Sequence, residues 1–141
     1  MIRTIRYKDS IIAIIIPHTF SEPGITFFTP DDFSQQLAFM KHPAGKQIQP
    51  HTHTHLKREV LNTKEVLVIR SGRLRVDLYS ESQEYISSEV FEAGDVVLLA
   101  SGGHGLEVLE DVEMFEVKQG PYTGENDKIR FVPEKKSIDH A

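Results

Sequence analysis

Apolar and polar positions alternate over short distances along this chain, and turn-forming residues interrupt them at intervals of about eight to twelve residues. Residues 1–7 alternate loosely, Lys8-Asp9-Ser10 reads as a turn, and 11–16 (IIAIII) is β-branched and stops at Pro17. That pattern predicts a hairpin whose second strand is buried on both faces. Pro23-Gly24 and Pro30-Asp31-Asp32 bracket a short strand at 25–29, and QLAFMK at 36–41 is another, ended by Pro43-Ala44-Gly45. Residues 56–63 lack periodicity and read as a loop. Beyond it, 65–70 and 74–79 flank Ser71-Gly72 and predict a hairpin. Strands follow at 85–91 and 96–100, joined by Ala93-Gly94-Asp95. Residues 105–109 and 113–119 read as two strands divided by Glu110-Asp111, and the polar tail 124–141 holds one short edge strand at 129–132. Nowhere does a dozen-residue helical stripe occur. The class this predicts is all-β, an antiparallel sandwich or barrel.

Composition narrows the picture. A chain of 141 residues is one domain's worth, 1–141, and is long enough to bury a core. With 39% hydrophobic and 26% charged residues, it is globular rather than disordered. A net charge of −5 argues against nucleic acid or an anionic membrane surface as partner. The chain has no cysteine, so thiolate chemistry and disulfides are excluded, and any metal must be held by nitrogen and oxygen. The apolar run at 11–16 is too short to span a bilayer and lacks the flanks of a signal peptide, so a cytoplasmic location is expected.

The densest chemistry lies in residues 45–72, GKQIQPHTHTHLKREVLNTKEVLVIRSG. His51, His53 and His55 stand at alternate positions, and Glu65 heads the next apolar run. In an extended strand residues i and i+2 share a face, so an H-x-H there aims two imidazoles to one side. Imidazole with carboxylate suits a transition metal. The alternative is a solvated polar loop, and for His55 an exposed loop histidine is the expected state. His18, His42 and His140 have no partners in the sequence and read as surface residues.

Gly45, five residues, His51-Thr52-His53, then Glu65, six residues, Gly72, resemble the first motif of the cupin superfamily. Gly94-Asp95 followed by Ser101-Gly102-Gly103-His104 is similar to the second, and the match covers about 36–119, leaving the hairpin region 1–30 and the tail 124–141 as additions. The resemblance implies a cupin-like double-stranded β-helix, a jelly-roll barrel. It implies one divalent metal ion (Fe, Mn, Zn or Ni) held by His51, His53, Glu65 and His104. It further implies a homodimer. The sequence departs from the pattern in the long interval from His53 to Glu65, which places Glu59 as a rival ligand. It departs again in Ala100 where proline is usual, in one residue fewer before His104, and in the missing asparagine after it.

The last strand carries further candidates. Alternation puts Met114, Glu116 and Lys118 on one face and Phe115, Val117 and Gln119 on the other. If Phe115 and Val117 enter the core, the two charges face water; if the lumen is polar, they line it. A buried lysine would have a lowered pKa and serve as acid or base. Strand parity adds Gln36 and Met40, and position adds Tyr122, as substrate-contacting residues. The expected function is a metal-dependent enzyme on a small polar metabolite, a sugar or carbohydrate derivative, by isomerase, lyase or dioxygenase chemistry. Glu116 and Lys118 would carry the proton transfer. The alternative is a non-catalytic ligand-binding or sensing cupin whose metal is structural or orients a ligand.

Overall fold

The computed structural model describes residues 1–133; the end of the expected tail, 134–141 with His140, lies outside them. Among the described residues, eight strands run in chain order: β1 (Arg3–Tyr7), β2 (Ser10–Ile16), β3 (Gly24–Phe27), β4 (Ala38–Lys41), β5 (Glu65–Tyr79), β6 (Tyr85–Glu92), β7 (Val96–Leu99) and β8 (Gly103–Lys118). The described residues contain no α-helix, only a 3₁₀ turn at Gly124–Asp127. None of their helices is long and apolar enough to cross a membrane. The chain forms two compact units, Met1–Phe20 with Asn62–Ala141, and Ser21–Leu61.

The larger unit is one curled antiparallel half-barrel sheet in the order β1-β2-β7-β5-β6, with β8 on the other edge of β5. β1 and β2 form the expected hairpin, and residues 12–16 are all buried, as the unbroken apolar run requires. On one edge of β5, Glu65–Val68 pair with β7 and Arg73–Tyr79 with β6; on the other edge β8 pairs from end to end. The core is the inner face: Ile12, Ile15, Leu67, Ile69, Leu74, Val76, Leu78, Phe91, Val97 and Leu99.

Neither the hairpin expected within 65–79 nor the division expected at Glu110-Asp111 is there. β5 and β8 are each one long strand, and together they make a single ribbon. Gly72 has φ of +88° and lies among register shifts between Ile69 and Leu74, so Ser71-Gly72 is a bulge rather than a turn. Glu110-Asp111 stays in the ladder because it sits opposite that bulge, where Arg73 Nη1 donates to Glu110 Oε2 at 3.2 Å. The expected edge strand at 129–132 is also absent. Instead the Phe131 ring packs edge-on against Tyr79 with centroids 5.1 Å apart.

Ribbon length explains the curl. His104 lies opposite Leu78, thirteen positions along β5 from Glu65. A straight strand of that length spans about 43 Å. Yet His104 Nε2 is 2.8 Å from Glu65 Oε2, so the bulged ribbon must coil until its two ends meet.

The Gly94-Asp95 turn is a structural staple. Gly94 N–H donates to the Ile69 carbonyl at 2.7 Å, while buried Asp95 accepts from the Glu92 and His18 N–H groups, both at 2.8 Å. His18, expected to be unpartnered, also places Nδ1 3.0 Å from Asp95 Oδ1.

In the smaller unit, β3 and β4 pair antiparallel with Ile25 opposite Met40. Residues 42–64 contain no strand, so the H-x-H run is not on one. Its two prolines and run of long polar side chains supply neither ladder donors nor an apolar face.

Candidate functional site

Cα partners across the β5–β8 ladder share a face. Glu65 lies opposite Lys118 and Leu67 opposite Glu116. Since Leu67 is core, Glu116 and Lys118 point to the inner side, and Phe115 and Val117 to the outer, where each is more than half exposed. Phe115 and Val117 therefore stay out of the core, while Lys118 is partly covered on the core side and Glu116 remains exposed there. Curling then brings His104 to the same place, so Glu65, His104, Glu116 and Lys118 converge at the seam where the ribbon closes.

The Glu65 side chain is only 11% exposed, against 32% for His104. The His104 Nε2–H donates to Glu65, and this bond is the main reason the Glu65 carboxyl is held below its usual range. Glu116 moves the other way. Partial burial raises it first, and a hydrogen bond shared with Glu65, together with that group's charge, raises it further. Of the two coupled carboxyls, Glu116 is therefore the one that keeps its proton to the higher pH.

Lys118 differs from expectation. Burial pulls its ammonium down, but a hydrogen bond to Asp127 and the charges of Glu65, Asp127 and Glu116 outweigh that and leave it above its ordinary value. It is a fixed cation, not a base. Lys118 Nζ is 3.4 Å from Asp127 Oδ2, and both side chains are 23% exposed.

These shifts set a sign. A carboxyl raised in the folded state loses stability as pH climbs from its ordinary value through its raised one. Glu116→Gln keeps a hydrogen bond to Glu65 without the charge. It should raise the melting temperature at pH 7 and leave it unchanged at pH 3, where Glu116 is protonated in both states. The gain should be modest because the group is partly solvated. A gain at pH 3 as large as that at pH 7 would contradict the assignment.

In the smaller unit the His51 and His53 rings stand edge-on with centroids 5.2 Å apart, and His51 Nδ1–H donates to the Gln49 carbonyl at 2.9 Å. That bond leaves Nε2 as the outward lone pair, the orientation a metal-ligating histidine needs. His55 and Glu59 lie in the same exposed segment. The Gln36 amide is spent locally: Nε2 donates to the Pro30 and Phe33 carbonyls, and Oε1 accepts from Thr29. Met40 is 54% and Tyr122 89% exposed.

The four expected ligands thus occur as two pairs, one within each unit, and no group of three such side chains suited to a metal is found among the described residues. The donor chemistry of the pairs fits a divalent ion. An ion held by His104 Nε2 and Glu65 Oε2 would take the place of the proton that now joins them across 2.8 Å. Two residues at this seam escaped sequence reasoning: Asp127, and Thr63, whose hydroxyl donates to Asp127 Oδ1 at 2.5 Å. Both sit in polar stretches with no periodicity, so no local signal marks them.

Fold and site together define an all-β protein whose curled sheet gathers acidic, imidazole and ammonium groups at its seam. No family model matches the chain, and neither a curated protein nor a solved structure matches it.

Proposed function

We propose that this chain is a cupin-like jelly-roll protein that binds one divalent metal ion through His51, His53, Glu65 and His104 and acts on a small polar metabolite. The Glu65–His104 contact carries the reading. Two residues from opposite ends of a fifteen-residue strand and its partner meet at hydrogen-bond distance, and they are two of the four that the motif resemblance singles out. When bound, the ion would polarise a substrate oxygen or activate water, or as iron bind dioxygen.

The chain's own groups have separate parts. Glu65 and His104 orient one another. Glu116, the carboxyl of the pair that keeps its proton to the higher pH, is the one suited to give a proton to a ligand atom. Lys118, held charged, offers an electrostatic contact to an anionic group. The proton-moving role therefore falls to Glu116 rather than to Lys118. The permanent charge of Lys118 also favours a second reading, a non-catalytic ligand-binding protein in which the same cluster holds a ligand without turning it over. In either case a homodimer is expected, and light scattering on purified protein measures it.

Metal analysis of untagged protein tests the core of the proposal. One ion per chain is expected, and the His53→Ala and His104→Ala variants should each bind it at least 100-fold more weakly, since even outer-shell partners are worth roughly 10–100-fold. Unchanged affinity in His104→Ala would refute the ligand set. Turnover screens of sugar derivatives with Glu116→Gln then separate enzyme from binder.

A further inference from the structure

The segment between Lys118 and Asp127 leaves β8, closes on itself through the 3₁₀ turn, and returns to where it started. Its ends are joined by the Lys118–Asp127 ion pair. Loops of this closed kind are packed by their own residues and commonly act at functional sites. Residues 118–124 and Asp127 line a pocket of about 110 Å³, room for a few waters or one small anion. The walls are this loop's own, and one of them is the Lys118 ammonium.

Asp127 has a second anchor, the Thr63 hydroxyl two residues ahead of Glu65. The ion pair itself is long. Charge-assisted bonds typically measure about 2.7–2.9 Å, against 3.4 Å here, so the carboxylate rests beside the cation rather than gripping it. The Thr63 hydroxyl, and after it Lys118, hold the Asp127 carboxyl below its ordinary range against a smaller opposing effect of the Glu65 charge.

From this arrangement we infer that Asp127 is a built-in carboxylate latch: it occupies, on Lys118, the position an anionic group of the ligand takes, and ligand binding exchanges one carboxylate for the other. The ligand class that follows is a small anion, a carboxylate or a phosphate. The exchange breaks one ion pair and forms one, with no covalent step. The inference rests on the proposed metal reading in one respect, because a divalent ion at Glu65 and His104 would offset the negative charge that otherwise repels an incoming anion.

Two experiments on the full chain separate the latch from that reading. In metal-free protein, amide hydrogen exchange compares wild type with Asp127→Ala. Loop amides over 119–127 should exchange at least tenfold faster in the variant, with β5 and β8 amides unchanged, and equal loop protection overturns the latch. In zinc-equilibrated protein, calorimetry follows malonate and inorganic phosphate into wild type, Asp127→Asn and the Asp127→Asn/Lys118→Met double variant. The single variant should bind the preferred anion about tenfold more tightly than wild type, and the double variant should lose the gain. Whichever anion shows the gain identifies the headgroup. Equal affinity in wild type and Asp127→Asn overturns the anion exchange. If zinc itself fails to bind, the metal reading falls, and the hydrogen-exchange comparison alone decides the latch.

Discussion

Gly72→Ala should unfold this protein at a markedly lower temperature than Gly105→Ala. A Cβ at position 72 would lie 1.9 Å from the Asp111 carbonyl oxygen and 2.8 Å from Val112 Cα, backbone atoms of the paired strand. A backbone φ of +88° adds strain for any residue with a side chain. Relief requires β5 and β8 to part at the bulge that lets the ribbon curl. A cost of about 3 kcal/mol or more is expected from strain and lost ladder contacts, a fall in melting temperature on the order of 10 °C for a chain of this size. Gly105→Ala is the internal control, because it lies in the same ribbon and its Cβ would meet nothing within 4 Å. Thermal unfolding measures both. Equal melting temperatures would show that the bulge is not what Gly72 serves. The curl also positions Glu65 against His104, so a folded Gly72→Ala protein should bind metal more weakly as well.

Removing Asp77 should be nearly as damaging, for an electrostatic reason. Arg75 and Asp77 are two apart on β5, share a face, and are each 7% exposed at the side chain. The guanidinium meets the carboxylate twice, Nε to Oδ1 at 3.0 Å and Nη2 to Oδ2 at 3.2 Å. Ser88 on β6 donates to the same carboxylate, and the Tyr85 hydroxyl extends the chain. Asp77→Ala leaves a buried cation with one neighbour, the half-exposed Glu107 at 3.3 Å. Breaking a buried pair from one side costs roughly 3–5 kcal/mol; the lower end applies here because Glu107 remains. Urea denaturation should show that loss for Asp77→Ala, and largely restored stability for Arg75→Met/Asp77→Leu, in which no charge is stranded. A single-variant loss under about 1 kcal/mol, the range of surface pairs, would mean that water reaches this network freely.

Much of the architecture was legible in the chain. Short β-branched and alternating runs between glycine and proline turns specify all-β structure, because period-two burial is a local property of an extended chain. The 1–16 hairpin, the succession of β6 and β7, and the sharp Gly94-Asp95 turn between them follow from residues within a few positions of one another. So does the assignment of Glu116 and Lys118 to one face.

Whether Ser71-Gly72 turns the chain or bulges it was not legible. Glycine satisfies both, and the choice is made by β8 pairing continuously across it. Likewise, strand parity left open which face of β8 turns toward the core, and pairing with Leu67 shows that it is the face of Glu116 and Lys118. The seam cluster is more distant still from local pattern. Glu65 and His104 meet because a ribbon too long for its core must coil. Asp127, which with Glu65 and Glu116 raises Lys118 against the pull of burial, is delivered from a polar turn with no sequence signature. Local alternation determines which residues can share a face, whereas only chain closure determines which faces meet and hence which charges tune one another.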